Sequence, residues 1–235
     1  MISGSMNFVN DGEMSEAKKY VRDFVGLSDE EFNKFSNEDL LKFVQVKLKS
    51  KMDDNPNEMK TLFYPDKILR EKSEPVTEFT DLLKTFARHL LIHCRRHGGL
   101  AMAAPQVGLL YRIIVVDTDL LDHVYKTSYN KLSYPQQMFN PEIINPTGKI
   151  RYKEGCLSCP GAYAWVNRYD AFTLKYQTDE GVSKTIDIKC AIGDPFGIVV
   201  QHEIDHLNGT LFIDKLDFIE KNKVIKGMNK FREKK

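Results

Sequence analysis

Apolar residues recur at helical spacing between Thr80 and Arg96, where Leu82, Leu83, Phe86, Ala87, Leu90, Leu91 and Cys94 make one stripe. The pattern predicts an amphipathic helix that ends at Gly98-Gly99. Short β-prone runs follow, around Tyr111–Val116, Glu142–Ile150, Ala171–Tyr176 and Thr185–Ala191, with turn signals such as Asp179-Glu180-Gly181 between them. Runs broken in this way predict hairpins and therefore antiparallel sheet. The stretch Asp119–Gln137 is polar with weak apolar periodicity and reads as a surface insertion. A second helix is expected from Asp194-Pro195, with Asp as cap and Pro at the first helical position, to Asn208-Gly209. A third begins after Asp214 and grows basic through Lys221, Lys223, Lys226, Lys230, Arg232, Lys234 and Lys235. Strands grouped ahead of helices predict an α+β fold rather than alternating α/β.

The N-terminal part has a different texture. It is acidic and lysine-rich, and suggests two helices: Ser28-Asp29-Glu30-Glu31 has the form of a capping box, and Leu40, Leu41, Val44 and Leu48 recur at helical spacing. Lys51–Pro56 reads as a linker. The expected organisation is a helical extension over 1–60, a catalytic domain over 61–216 and a basic C-terminal helix over 217–235. About a dozen acids in the extension disfavour an organelle transit peptide, and its start lacks the apolar core of a secretory signal. No apolar run approaches the length of a spanning helix, so no membrane partner is expected. Thirty-four basic against thirty-three acidic residues leave a net charge of +1, so no global field draws the chain to DNA. Four cysteines in a chain of 235 residues, long enough to bury its own core, do not read as a disulfide framework, and reduced thiols in the cytoplasm are expected.

Candidate chemistry centres on His202-Glu203-Ile204-Asp205-His206. Four-residue spacing on a helix puts both imidazoles on one face, where two nitrogens can share a metal ion. Glu203, beside the first of them, is placed to take a proton from water rather than to bind the ion. A tetrahedral site open to water needs a third protein ligand. Downstream, Glu220 is spaced as a helical candidate; upstream, Cys156 in Glu154-Gly155-Cys156-Leu157-Ser158 is the better one, because a neighbouring glycine allows close approach and sulfur suits a divalent transition ion. Gly99-Leu100-Ala101-Met102-Ala103-Ala104-Pro105-Gln106 follows the long helix with small residues and ends in an amide able to donate to a developing oxyanion.

These three segments, in this order, resemble the GxGxAAxQ, EGCLS and QHExDH signatures of the peptide deformylase family. Phe63-Tyr64-Pro65-Asp66-Lys67-Ile68-Leu69-Arg70 with Pro75-Val76, and Asn140-Pro141-Glu142-Ile143-Ile144, extend the likeness over roughly Thr61 to Leu216. The resemblance implies antiparallel β-sheets packed around a central metal-binding HExxH helix. It implies one divalent ion per chain on Cys156, His202 and His206, Fe(II) natively, with zinc, nickel or cobalt accepted. Glu203 is then the general base and acid, while Gln106 and the Leu157 N–H hold the formyl oxygen. Glu154 supports the site through Arg168, and the peptide lies along Gly99, Leu100, Ala101 and Gly155. Ile198 and Val199, one turn before His202, are candidates for the methionine side-chain pocket. The implied partners are N-formyl-methionyl nascent peptides, and ribosomal RNA for the basic C-terminal segment, which otherwise reads as a solvated helix. One position departs from the pattern: Ala101 stands where the family has its second glycine, strained if its φ is positive and narrowing the cleft if negative.

Other readings stay open at this level. A zincin-type peptidase using Glu220 as third ligand is one, and a silent binding protein with its cleft closed by Ala101 is another. Cys156 and Cys159 form a C-x-x-C without a second copy, so a redox pair is disfavoured and Cys159 reads as a small packed residue. His89, His93 and His97 read as a polar helix edge. Tyr163 and Trp165 fit ordinary strand alternation as well as a peptide cleft.

Overall fold

In the computed structural model, which describes residues 59–233, the Thr80 hydroxyl accepts from the Leu83 N–H and starts helix α1 (Asp81–Arg96). Its buried face, Leu83, Phe86, Ala87, Leu90, Leu91 and Cys94, packs against the short strand β1 (Ala101–Ala103) and β2 (Ile113–Val116). Gly98, at φ +67°, turns the chain from α1 towards β1, a conformation that glycine adopts without a Cβ penalty. His93, expected on a polar edge, is instead buried and bonded to the Thr61 hydroxyl at 2.9 Å. The two helices expected within the N-terminal extension lie outside the described residues.

Strands β3 (Gln137–Thr147), β6 (Ala171–Gln177) and β7 (Ser183–Lys189) complete an antiparallel sheet in the order β1-β2-β3-β6-β7. A separate hairpin pairs β4 (Ile150–Cys156) with β5 (Cys159–Arg168). The apolar pattern alone does not reveal this hairpin, because charged residues alternate along β4 and Pro and Gly interrupt β5; cross-strand pairing supplies the order that propensity lacks. The Asp119–Gln137 stretch is not simply a surface insertion. It contains helix α2 (Thr118–Tyr125), capped by Asp117 through the Leu120 N–H and holding Leu121 fully buried. A short helix with one deeply buried anchor leaves little periodicity to read.

Helix α3 (Phe196–Leu207) carries the paired histidines. Asp194 does not cap it; Pro195 occupies the cap position without a side-chain bond, and Asp194 instead accepts the Tyr129 hydroxyl, tying the loop after α2 to the start of α3. Ile198, Val200, Ile204 and Leu207 of α3 share one apolar cluster with sheet residues Ile114, Val116, Met138, Phe172, Leu174 and Ile188. A second cluster joins Ala162 and Val166 of β5 to Leu211, Phe212, Ile213 and Met228. Met228 belongs to α4 (Phe218–Arg232), so the C-terminal helix is docked on the hairpin rather than extended into solvent. No helix among the described residues is long and apolar enough to cross a membrane.

Asp214 holds this C-terminal packing. It pairs with Arg70, accepts from Lys221 Nζ at 2.7 Å and accepts from the Leu211 N–H at 2.8 Å. Burial alone would raise its pKa, but the Arg70 and Lys221 bonds outweigh burial and hold the carboxyl below its ordinary value. A depressed folded-state pKa gives stability that is complete above the ordinary aspartate range and is lost as pH falls through the folded value. Asp214→Asn is therefore expected to cost about 1 kcal/mol near neutral pH. Urea midpoints of variant and parent should converge as the pH is lowered towards 3.

Candidate active site

The site is assembled from the end of β4, the middle of α3 and the turn after β1. Gly155 precedes Cys156, and a Cβ there would lie 2.7 Å from the Tyr163 ring carbon Cε1. Its φ is not in the positive region, so this glycine makes room for its cross-strand partner rather than for an unusual backbone. The strand register shifts between Gly155 and Cys156, with the extra residues on β5, and Cys156, two residues after Glu154, shares its face towards α3. Cys156 Sγ lies 3.2 Å from His206 Nε2, and ligand atoms of Cys156, His202 and His206 all fall within 4.8 Å of one another.

His202 is oriented from behind. Its Nδ1 meets Glu154 Oε2 at 2.8 Å, which turns Nε2 away from the carboxylate. Glu154 in turn accepts from Arg168 Nε at 2.6 Å and from Nη2 at 2.7 Å, and the other Arg168 amino group reaches Asp205. Burial opposes charge on Glu154, but the Arg168 and His202 bonds overcome it and hold the carboxyl at about 2. Cys156 is held well below the usual thiol value, by the hydrogen bond from Cys159 first and by His206 and His202 in addition, against burial. Burial pushes Glu203 up to about 7, and its Oε2 has no hydrogen-bond partner among the described residues.

Gln106 sits 1% exposed in a 3-10 turn, Ala104–Val107. The Ala103 N–H donates to its Oε1 at 2.8 Å, which leaves the amide nitrogen turned towards the β4–β5 turn: Nε2 donates to Ser158 Oγ at 3.2 Å and lies 3.6 Å from Cys156 Sγ. Thus Cys156, His202, Glu203, His206 and Gln106, named from sequence, are collected at one point. Asp205, Gln201 and Ser158 were not singled out. Gln201 binds both the N–H and the carbonyl of Tyr169, anchoring α3 to the end of the hairpin. The only signal for Gln201 and Asp205 was their place inside the QHEIDH segment.

The remaining candidates flank this point. Gly99 is close-packed, since a Cβ there would meet Leu157 Cδ1 at 2.8 Å and Cys94 Sγ at 2.9 Å. A cavity of about 370 Å³ opens beside Leu157, lined also by Met59, Lys60, Thr61, Phe63 and His97. Leu100, Ala101, Ile198 and Val199 belong to one apolar cluster, with Ile198 1% exposed and Val199 half-buried. Ala101 is not among the residues with positive φ; it is paired with Val116 and 8% exposed, so its Cβ is packed without backbone strain. Glu220, the alternative third ligand, lies in the first turn of α4 and is not part of the Cys156–His202–His206 cluster.

A divalent transition ion fits these residues. One thiol and two imidazoles converge, a carboxylate backs His202, and the donor set is borderline-soft.

The profile of the family described as Polypeptide deformylase matches residues 59–222. A peptide deformylase of Hydrogenovibrio crunogenus is 38% identical over 169 residues, covering 72% of this chain and 92% of the relative. The crystal structure of a peptide deformylase from Legionella pneumophila superposes with a TM-score of 0.63 at 31% identity, covering 74% of this chain and 95% of that one. A Plasmodium falciparum peptide deformylase gives 0.61 at 35% identity, covering 74% and 96%. The class is thus a metal-dependent hydrolase of α+β architecture, and the chain belongs to the polypeptide deformylase family.

Two stability predictions follow from the buried groups. Arg168→Leu strands the Glu154 charge in the interior and is expected to cost about 3–5 kcal/mol in chemical denaturation, with much of the loss recovered when Glu154→Gln is added. Ala101→Gly, which removes a packed methyl from a strand, should lower stability by about 0.5–1 kcal/mol rather than relieve strain.

Proposed function

We propose that this chain hydrolyses the N-formyl group from the initiator methionine of newly made polypeptides, releasing formate and a free amine. The observation that carries the reading is the meeting of Cys156, His202 and His206 with Glu203 and Gln106 at a single buried point. Cys156, His202 and His206 would hold the ion, Fe(II) natively with zinc, nickel or cobalt as substitutes, and α3 is then the central metal-binding helix. A bound divalent ion supplies Lewis acidity to the formyl carbonyl and to water.

Every other step belongs to groups of this chain. Glu203, raised to about 7 by burial, accepts the proton of the attacking water near neutral pH. As water oxygen bonds to the formyl carbon, negative charge moves to the former carbonyl oxygen, which accepts from Gln106 Nε2 and the Leu157 N–H. Glu203 then delivers its proton to the departing nitrogen as the C–N bond breaks, so each proton removed is returned. Leu100, Ala101 and Gly155 align the peptide as an added strand, with Gly99 setting their approach. Ile198 and Val199 face the methionine side chain. A formyl carbon carries hydrogen where an acetyl carries methyl, so a close wall at this point rejects N-acetyl peptides by shape.

The organisation that fits this reading is an extension over 1–60, a catalytic domain over 61–216 and a basic helix over 217–235. On α4, Lys223, Lys226, Lys230 and Arg232 are exposed while Met228 faces the hairpin, which supports ribosomal RNA as the partner of that helix in the cytoplasm.

Formate release from formyl-Met-Ala-Ser by anaerobically Fe(II)-loaded protein tests the assignment. Turnover should be confined to the formyl peptide, with the N-acetyl peptide inert. Glu203→Ala should lower kcat by about 10²–10⁴-fold with metal content retained, and Cys156→Ala should lose the metal itself. A Cys156→Ala protein that keeps both metal and activity would sink this reading.

A further inference from the structure

Cys156 and Cys159 are in-register partners across the β4–β5 turn, with only Leu157 and Ser158 between them. Directly opposed residues of an antiparallel pair have Cα atoms about 4.5–5.5 Å apart, inside the about 4.4–6.8 Å that a disulfide spans. Both are free thiols, and Cys156 packs against the same apolar cluster that holds Cys159. Access to the two is unequal: Cys159 is 0% exposed within the apolar cluster of Ala162, Leu211, Phe212 and Met228, whereas Cys156 is half-buried at the active site. A small oxidant entering the site meets Cys156 first.

We propose that Cys156 and Cys159 form a peroxide-oxidation site, in which Cys159 captures the oxidised Cys156 sulfur as an intramolecular disulfide. In the first step Cys156 sulfur attacks one oxygen of hydrogen peroxide. The O–O bond breaks, an S–O bond forms, sulfur is oxidised by two electrons to the sulfenic acid, and the second oxygen leaves as water. In the second step Cys159 sulfur attacks Cys156 sulfur. The S–S bond forms as the S–O bond breaks, and the Cys159 thiol proton leaves with the hydroxyl as a second water. A dithiol reductant then attacks the accessible Cys156 sulfur, regenerates both thiols and is itself oxidised to a disulfide. The pairing stops Cys156 short of the irreversible sulfinic and sulfonic acids. Discharge of the metal along with the thiol rests on the ligand role proposed above; the sulfur chemistry does not.

The test is exposure of the full-length, zinc-loaded protein to hydrogen peroxide, followed by blocking of free thiols with iodoacetamide and tryptic mapping. Both cysteines lie in the single tryptic peptide from Glu154 to Arg168. The expected product is that peptide two hydrogens lighter and unalkylated at both positions, with both alkylation sites regained after dithiothreitol. In Cys159→Ser the peptide should instead carry two or three oxygens on Cys156, as sulfinic or sulfonic acid, and dithiothreitol should restore less than about a tenth of the reduced form. A wild-type peptide carrying two or three oxygens on Cys156 with Cys159 alkylated overturns the proposal, whatever the variant does. Zinc measured in the same samples keeps the two readings apart: zinc retained by protein whose disulfide has formed would support the sulfur pair and count against Cys156 as a ligand.

Discussion

A guanidinium cannot lie in an apolar interior without anions around it, and Arg168 meets that requirement with Glu154 and Asp205. Arg168 ends β5 opposite Ile150, Glu154 lies further along β4 opposite Ala164, and Asp205 is on α3, so one buried cation joins both strands of the hairpin to the helix. The same carboxylate that neutralises Arg168 receives His202 Nδ1. Orientation of the imidazole is thus a by-product of keeping the arginine paired. Loosening this triad disturbs the hairpin, the helix and the ligand geometry together, because they share the same few atoms.

The hairpin contributes more than a ligand. Strand alternation puts Cys156 on the same face as Glu154, Gly155 leaves room for the Tyr163 ring, and Cys159 returns opposite Cys156 across the turn. The same buried face docks α4 through Ala162, Val166 and Met228. The β1 side of the cleft is built differently. There Ala101 occupies an ordinary strand conformation, so a Cβ in place of a family glycine is accommodated by packing rather than by strain. Beside the cleft, Gly99 and Gly155 are close approaches of another kind, where a neighbouring side chain already fills the space a Cβ would need.

Helix α1 was legible because its apolar residues repeat with the helical period and its ends carry Thr80 and Gly98, all local signals. The pairing of His202 with His206 was legible for the same reason, since four-residue spacing on any helix aligns two side chains. Helix α2 and the β4–β5 hairpin were not, as a single buried leucine or an alternation of charged residues carries little periodicity. The sequence by itself determined the ligand types, the carboxylate beside them and the family, through three short segments whose chemistry is local. Tertiary structure alone decided that Cys156 meets both the histidines and Gln106, that Arg168 is shared by Glu154 and Asp205, that Asp194 serves Tyr129 instead of α3, and that Cys159 lies opposite Cys156. Cys156 lies 50 residues from His206 and 50 from Gln106. Contacts over such separations depend on strand register and on which buried charges must find partners, and no local pattern of residues encodes either.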